Sequence, residues 1–117
     1  MQTQAQQATS ISKISERDVQ RAIVDLLRWR GWMVRELSQP RMVSGDIVGV
    51  PDVIAFHSGH TLLIECKRPG GRLRDSQKRF IEEIDPHLDT TLQHMVASDI
   101  DEFQKVLLYH EQRCHLR

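Results

Sequence analysis

A chain of 117 residues has room for one domain, and its 39% apolar and 27% charged residues are the balance of an ordinary globular protein. No apolar run approaches the roughly 20 residues that span a bilayer, and the first residues lack the apolar stretch of a secretion signal; the expected location is cytoplasmic, in a bacterium or in the host of a phage. The 16 basic and 16 acidic residues cancel, so overall charge gives no sign of a nucleic-acid binder.

Residues 1–13 are polar, Gln-rich and without periodicity, and are expected to form a disordered tail before a single domain over 14–117. Ser15 can cap a helix, with Asp18 completing a weaker capping box. Val19, Ala22, Ile23, Leu26 and Leu27 follow helical spacing, and Gly31 ends the helix as a C′ residue. Trp29 and Trp32 straddle that end and read as core or dimer-interface residues. Residues 32–37 read as a strand, and 38–49, with Pro40, Ser44 and two glycines, as a loop. Residues 50–57 and 61–67 are β-rich runs around a Ser58-Gly59 turn signal, which predicts a hairpin. Pro69-Gly70-Gly71 breaks the chain before a second helix, with Leu73, Gln77, Phe80, Ile81, Ile84 and Leu88 on one stripe. Residues 92–97 form a last strand, and Ser98 with Asp101 caps a final helix carrying Ile100, Phe103, Val106, Leu107 and His110.

The order is α-β-β-β-α-β-α. Both hairpin strands are apolar on both faces, with Ile54, Phe56 and Leu63 on one and Val53, Ala55, Leu62 and Ile64 on the other. Such strands belong in a sheet covered on both sides, so the fold class is α/β.

The hairpin also predicts a site. With a turn symmetric about Ser58-Gly59, opposed residues have numbers that sum to 117, and Asp52 faces Glu65. Lys67, two residues on, shares that face, while Cys66 points the other way into the packing. Adjacent carboxylates repel and raise one pKa. A hard divalent cation resolves this by taking carboxylate oxygens, and it can activate water and polarise a phosphoryl oxygen. The bland alternative makes Asp52 a strand-start residue and Glu65 with Lys67 an exposed strand edge.

Gly49-Val50-Pro51-Asp52, Ile64-Glu65-Cys66-Lys67 and Gln77 together resemble the PD-(D/E)xK nuclease superfamily, and more closely its VRR-NUC (virus-type replication-repair nuclease) family. That family has an acid early in the first helix, a Gly-x-Pro-Asp motif, a Glu-x-Lys motif and a Gln in the next helix; here these are Glu16, Gly49 to Asp52, Glu65 to Lys67, and Gln77. The resemblance runs roughly from Ser15 to Phe103 and implies an αβββαβα core with a mixed central sheet flanked by helices. It implies a Mg²⁺- or Mn²⁺-dependent deoxyribonuclease. Short stand-alone members, from phages and bacteria, resemble Holliday-junction resolvases that cut branched DNA as homodimers. Asp52, Glu65 and the Cys66 backbone carbonyl would then hold metal, with Glu16 completing the acidic cluster directly or through water. Asp52, Glu65, Lys67, Gln77 and Glu16 would form the catalytic set.

Glu16 also suits the first turn of a helix as a dipole-favoured acid, and Gln77 an N-terminal capping role. Gln20 is a weaker candidate of the same type. Between Lys67 and Arg79 lie six basic residues against one acid, whereas Phe80 to Gln104 holds seven acids and no Lys or Arg. The basic stretch, through Arg68, Arg72, Arg74 and Lys78, is expected to contact phosphates, together with Arg41 in the preceding loop. His57 and His60 read as polar residues flanking a turn. His110, Cys114 and His115 sit on a helix end expected to fray, a weak basis for a zinc site. Two other functions compete with the nuclease: a non-catalytic nucleic-acid-binding module on the same fold, and a nuclease subunit active only in a complex.

Overall fold

Ser15 Oγ accepts the Asp18 N–H and Asp18 Oδ2 accepts the Ser15 N–H, both at 3.0 Å. This reciprocal box opens α1 (Glu16–Trp29) in a computed structural model that describes residues 13–37 and 48–116. Gly31, at φ +90°, closes the helix: its N–H reaches the Arg28 carbonyl and the Trp32 N–H reaches that of Leu27. Those two bonds make a Schellman cap, which needs the left-handed conformation that glycine adopts without a Cβ clash.

β1 (Met33–Glu36), β2 (Val53–His57), β3 (His60–Cys66) and β4 (Leu92–Ala97) form one sheet in sequence order. β1–β2 and β2–β3 are antiparallel and β3–β4 is parallel, so the sheet is mixed. Ser58 at φ +48° and Gly59 at φ +82° give the hairpin turn its two positive φ angles, as the type I′ geometry of two-residue hairpins requires. The register is the symmetric one, from His57 opposite His60 to Val53 opposite Ile64.

The element order and the α/β class agree with the sequence reading. α1 and α3 (Ile100–Arg113) cover one face of the sheet, where Val19, Ile23, Leu27, Phe103 and Leu107 meet Val53, Ala55, Leu62, Ile64 and Cys66. Leu27, Leu62, Ile64 and Leu107 are fully buried, each stabilising the fold by about 1.5–3 kcal/mol.

The opposite face departs from the expectation of full cover. α2 (Asp75–Ile84) is only ten residues long, because Pro86 removes a backbone donor and disfavours helix before it. The chain leaves α2 through a 3₁₀ turn at Asp85–His87, so the stripe expected to reach Leu88 stops short. Phe80 of α2 approaches His94 of β4, with ring centroids 6.1 Å apart. Farther across, the cross-strand pair Met33 and Phe56 remains 51% and 37% exposed.

Two further details correct the sequence reading. Asp99, not Ser98, caps α3, its Oδ1 accepting the N–H groups of Asp101 and Glu102 at 2.8 and 3.2 Å. α3 does not fray at its end: the N–H groups of His115 and Leu116 bond the Gln112 and Glu111 carbonyls, with His115 at φ +56°, a second Schellman cap built without glycine. Of the two tryptophans read as core or dimer-interface residues, Trp32 is core at 3% exposure and Trp29 is 79% exposed. The tail expected over 1–13 falls, except for Lys13, outside the described residues, as do Arg41 and most of its loop. Among the described residues no helix is long and apolar enough to cross a membrane.

Candidate active site

The alternation of β3 sends Cys66 into the core, fully buried, and Glu65 to the opposite face. Lys67 follows the strand, and its N–H bonds the Ala97 carbonyl of β4 at 2.9 Å, so the pairing continues past Cys66. Glu65 and Lys67 are 2% and 4% exposed. Charged groups are seldom so buried without partners.

Asp52 stands one position before β2 and is tied to both neighbouring strands. Its backbone carbonyl accepts the Leu37 N–H at 2.6 Å and its Oδ2 accepts the Cys66 N–H at 2.8 Å. The β-ladder thus stops one pair short of Asp52 and Glu65, and a side-chain bond replaces the next rung. Gly49 explains the opening residue of the Gly-x-Pro-Asp segment. It has φ +89°, and a Cβ there would press on the Ser76 carbonyl group, 2.7 Å from its carbon. Only glycine lets the Asp52 loop lie against the first turn of α2.

That first turn carries Gln77, which joins two functions expected as alternatives. Its Oε1 accepts the Arg74 N–H at 2.8 Å, capping α2, and its Nε2 donates to Glu65 Oε1 at 2.7 Å. From the other side Glu16, in the first turn of α1, brings Oε1 to 3.6 Å from Lys67 Nζ. It is both the helix-dipole acid and a partner of the buried amine. Gln20, the weaker candidate, donates from its Nε2 to Glu36 at 3.0 Å.

The electrostatics follow from the burial. Desolvation pushes the Glu65 carboxyl up to about 8, and a hydrogen bond and charge from Asp52 push the same way against the opposing Lys67 ammonium. The Cys66 thiol is also driven far up, by burial first and then by Asp52, Glu65, Glu16 and Glu36. A thiol held neutral is no nucleophile, so Cys66 can offer the site only backbone groups. Two neighbouring carboxylates, one reluctant to ionise, form the oxygen-donor set that a hard divalent cation takes.

Beside this cluster opens a cleft of about 420 Å³ lined by Glu16, Lys67, Arg68, Arg72 and Arg74, with Gly70 and Gly71. Gly70 at φ +77° and a Gly71 N–H bond to the Arg68 carbonyl at 2.8 Å mark a tight turn that folds the basic residues around the opening. Arg68, Arg72 and Arg74 therefore share one cleft with Glu16 and the Lys67 amine. Lys78 is exposed on α2, one turn beyond Arg74.

The sequence reading missed Glu36. Its carboxylate holds Gln20 and its charge reaches Cys66, yet as an acid ending a short strand it carried no signal. It also missed the contact between Gly49 and Ser76, which depends on how the loop packs.

A comparison with curated proteins found no match. The family model of the VRR-NUC domain matches residues 3–97, about four fifths of the chain, and begins well before Ser15, where the motif resemblance starts. On this match and on the fold that carries it, the chain belongs to the VRR-NUC family and holds a nuclease-type domain.

Proposed function

We propose that the protein is a metal-dependent, structure-specific DNA endonuclease that cuts branched DNA, Holliday junctions included, as a homodimer. One observation carries this reading: Asp52, its Oδ2 bonded to the Cys66 N–H next to Glu65, stands beside a buried Glu65 and a buried Lys67. A binding module has no use for paired carboxylates facing a polyanion.

Asp52 and Glu65 would hold Mg²⁺ or Mn²⁺, with the Cys66 carbonyl as a further oxygen and Glu16 joining directly or through water. The chemistry the cation supplies there is Lewis-acid polarisation of the scissile phosphate. Gln77 positions Glu65 by donating to its Oε1. Glu16 holds the Lys67 ammonium, which orients the attacking water or neutralises charge developing on phosphorus. Water adds to phosphorus and a P–O ester bond breaks, leaving one phosphate end and one hydroxyl end. Arg68, Arg72, Arg74 and Lys78 hold the flanking phosphates, which gives salt-sensitive affinity without reading sequence; Arg41 is assigned the same task.

The homodimer is inferred from the task. Resolving a four-way junction takes two coordinated cuts, and a two-fold pair of single-site chains supplies them. The exposed Trp29, Met33 and Phe56 offer apolar surface for such a contact.

The test is a cleavage panel of purified protein on four-way junctions, flaps, duplex and single strands, with Mg²⁺ or with EDTA. Mg²⁺-dependent cutting that favours branched substrates is expected. Absence of cutting on every substrate would refute the catalytic reading, and equal cutting of duplex would refute the structural preference.

A further inference from the structure

At the far end of β3 from the carboxylates lies a second cluster, unrelated to DNA cleavage. His60 is the first residue of β3, His110 stands in the last turn of α3, and Cys114 is the residue that caps α3. One ligand atom from each lies within 4.8 Å of the other two. Cys114 Sγ is 3.9 Å from His110 Nε2, and the two imidazoles meet edge to face with centroids 5.8 Å apart.

Three features suit these groups to a metal. The His60 Nδ1 lies 3.1 Å from the Thr90 carbonyl, and a carbonyl only accepts. Nδ1 must therefore carry the proton, which leaves Nε2 with a free lone pair, the arrangement typical of metal-ligating histidines. His110 is 6% exposed, so packing holds its ring in place beside Cys114 and His60. The backbone holding both α3 ligands is fixed by the Schellman cap and by Glu111, whose carboxylate accepts from Arg30 Nε at 3.0 Å and Trp32 Nε1 at 3.2 Å.

Two imidazole nitrogens and one thiolate are a zinc donor set. Around a tetrahedral Zn²⁺ with ordinary bond lengths the donors would stand about 3.3–3.6 Å apart, so the observed spacing closes by side-chain rotation. The cluster is separate from the carboxylate pair, since His60 and Glu65 are five residues apart in β3, about 16 Å. His60 lies inside the matched residues 3–97, and His110 and Cys114 lie beyond them.

We propose that His60, His110 and Cys114 bind one Zn²⁺ ion, with water in the fourth position, and that the ion fastens the end of α3 to the β2–β3 turn. The full chain, stripped with chelator and titrated with Co²⁺ as a spectroscopic probe, should bind through this cluster with tetrahedral visible bands and a sulfur-to-cobalt charge-transfer band, both displaced by Zn²⁺. Zn²⁺ should also raise Tm. Cys114→Ser should abolish the charge-transfer band, and His60→Ala should weaken Zn²⁺ binding at least about 100-fold. These positions are only partly buried, so circular dichroism should show both variants folded, whereas the buried His110 is left intact. A double variant with Asp52→Asn and Glu65→Gln should keep the charge-transfer band, which separates this site from the carboxylate pair whether or not the chain cuts DNA. No charge-transfer band in the wild type, a band that survives Cys114→Ser, or a Zn²⁺-induced rise in Tm that is equal in all variants would each overturn the proposal.

Discussion

Glu65→Gln tests the electrostatics of the acidic cluster without changing its shape. Burial and Asp52 raise the folded-state pKa of Glu65 from 4.5 to about 8. Between those pH values the folded, ion-free chain keeps a proton that the unfolded chain has released. Stability must then fall as pH rises, by about 1.4 kcal/mol per pH unit. Across the whole window the loss is on the order of 5 kcal/mol, a large share of the 5–15 kcal/mol typical of a folded domain. The contribution is fully present below pH 4.5 and gone above about pH 8. Gln at position 65 does not titrate and still offers an amide oxygen to Gln77 Nε2. Urea denaturation in EDTA from pH 5 to 9 should therefore show a wild-type midpoint that falls relative to the variant and crosses below it. Mg²⁺ should restore wild-type stability at high pH, because the cation replaces the proton, and should have much less effect on the variant. Parallel pH profiles for the two proteins would refute the claim that Glu65 is held protonated by its surroundings.

Lys67→Ala should lower the cleavage rate at least about 100-fold while circular dichroism and DNA affinity change little; wild-type turnover would remove the role assigned to the amine. Asp52→Asn should weaken Mg²⁺ binding at least about tenfold in calorimetry, and unchanged titration curves would count against the metal assignment. Gly49→Ala forces a Cβ onto the Ser76 carbonyl and a side chain into positive φ. It should cost about 1–3 kcal/mol from the backbone conformation alone, read from urea midpoints, and a neutral effect would mean that the loop does not pack as described. Replacing Arg72 and Arg74 together with Ala should reduce the salt dependence of DNA binding by nearly two phosphate contacts; an unchanged slope would place the DNA elsewhere.

Much of the site was legible in the sequence because strand pairing is arithmetic. A two-residue turn at Ser58-Gly59 and a side-chain period of two sufficed to bring Asp52 near Glu65, to put Lys67 on the same side and to bury Cys66. The helix starts and stops at Ser15 and Gly31 were equally readable, since a single residue at each settles the cap. Where several residues compete, the reading slipped. Ser98 and Asp99 are both capping types, and the carboxylate of Asp99 reaches two N–H groups. Pro86 went unweighed inside an apolar stripe, so α2 seemed longer and the sheet better covered than it is. The His60, His110 and Cys114 cluster lay hidden for another reason. Its members come from the start of β3 and the end of α3, fifty residues apart, and only the tertiary packing of α3 brings them together. The expectation of fraying also discounted a helix end that closes on His115 in a conformation usually reserved for glycine.

Anomalous diffraction from a crystal grown with Mn²⁺ addresses the nuclease account at its root. The expected result is a peak within coordination distance of both the Asp52 and Glu65 carboxylates, lost in Asp52→Asn. A saturated crystal with no peak between those two side chains, or with its manganese on another surface, would contradict it.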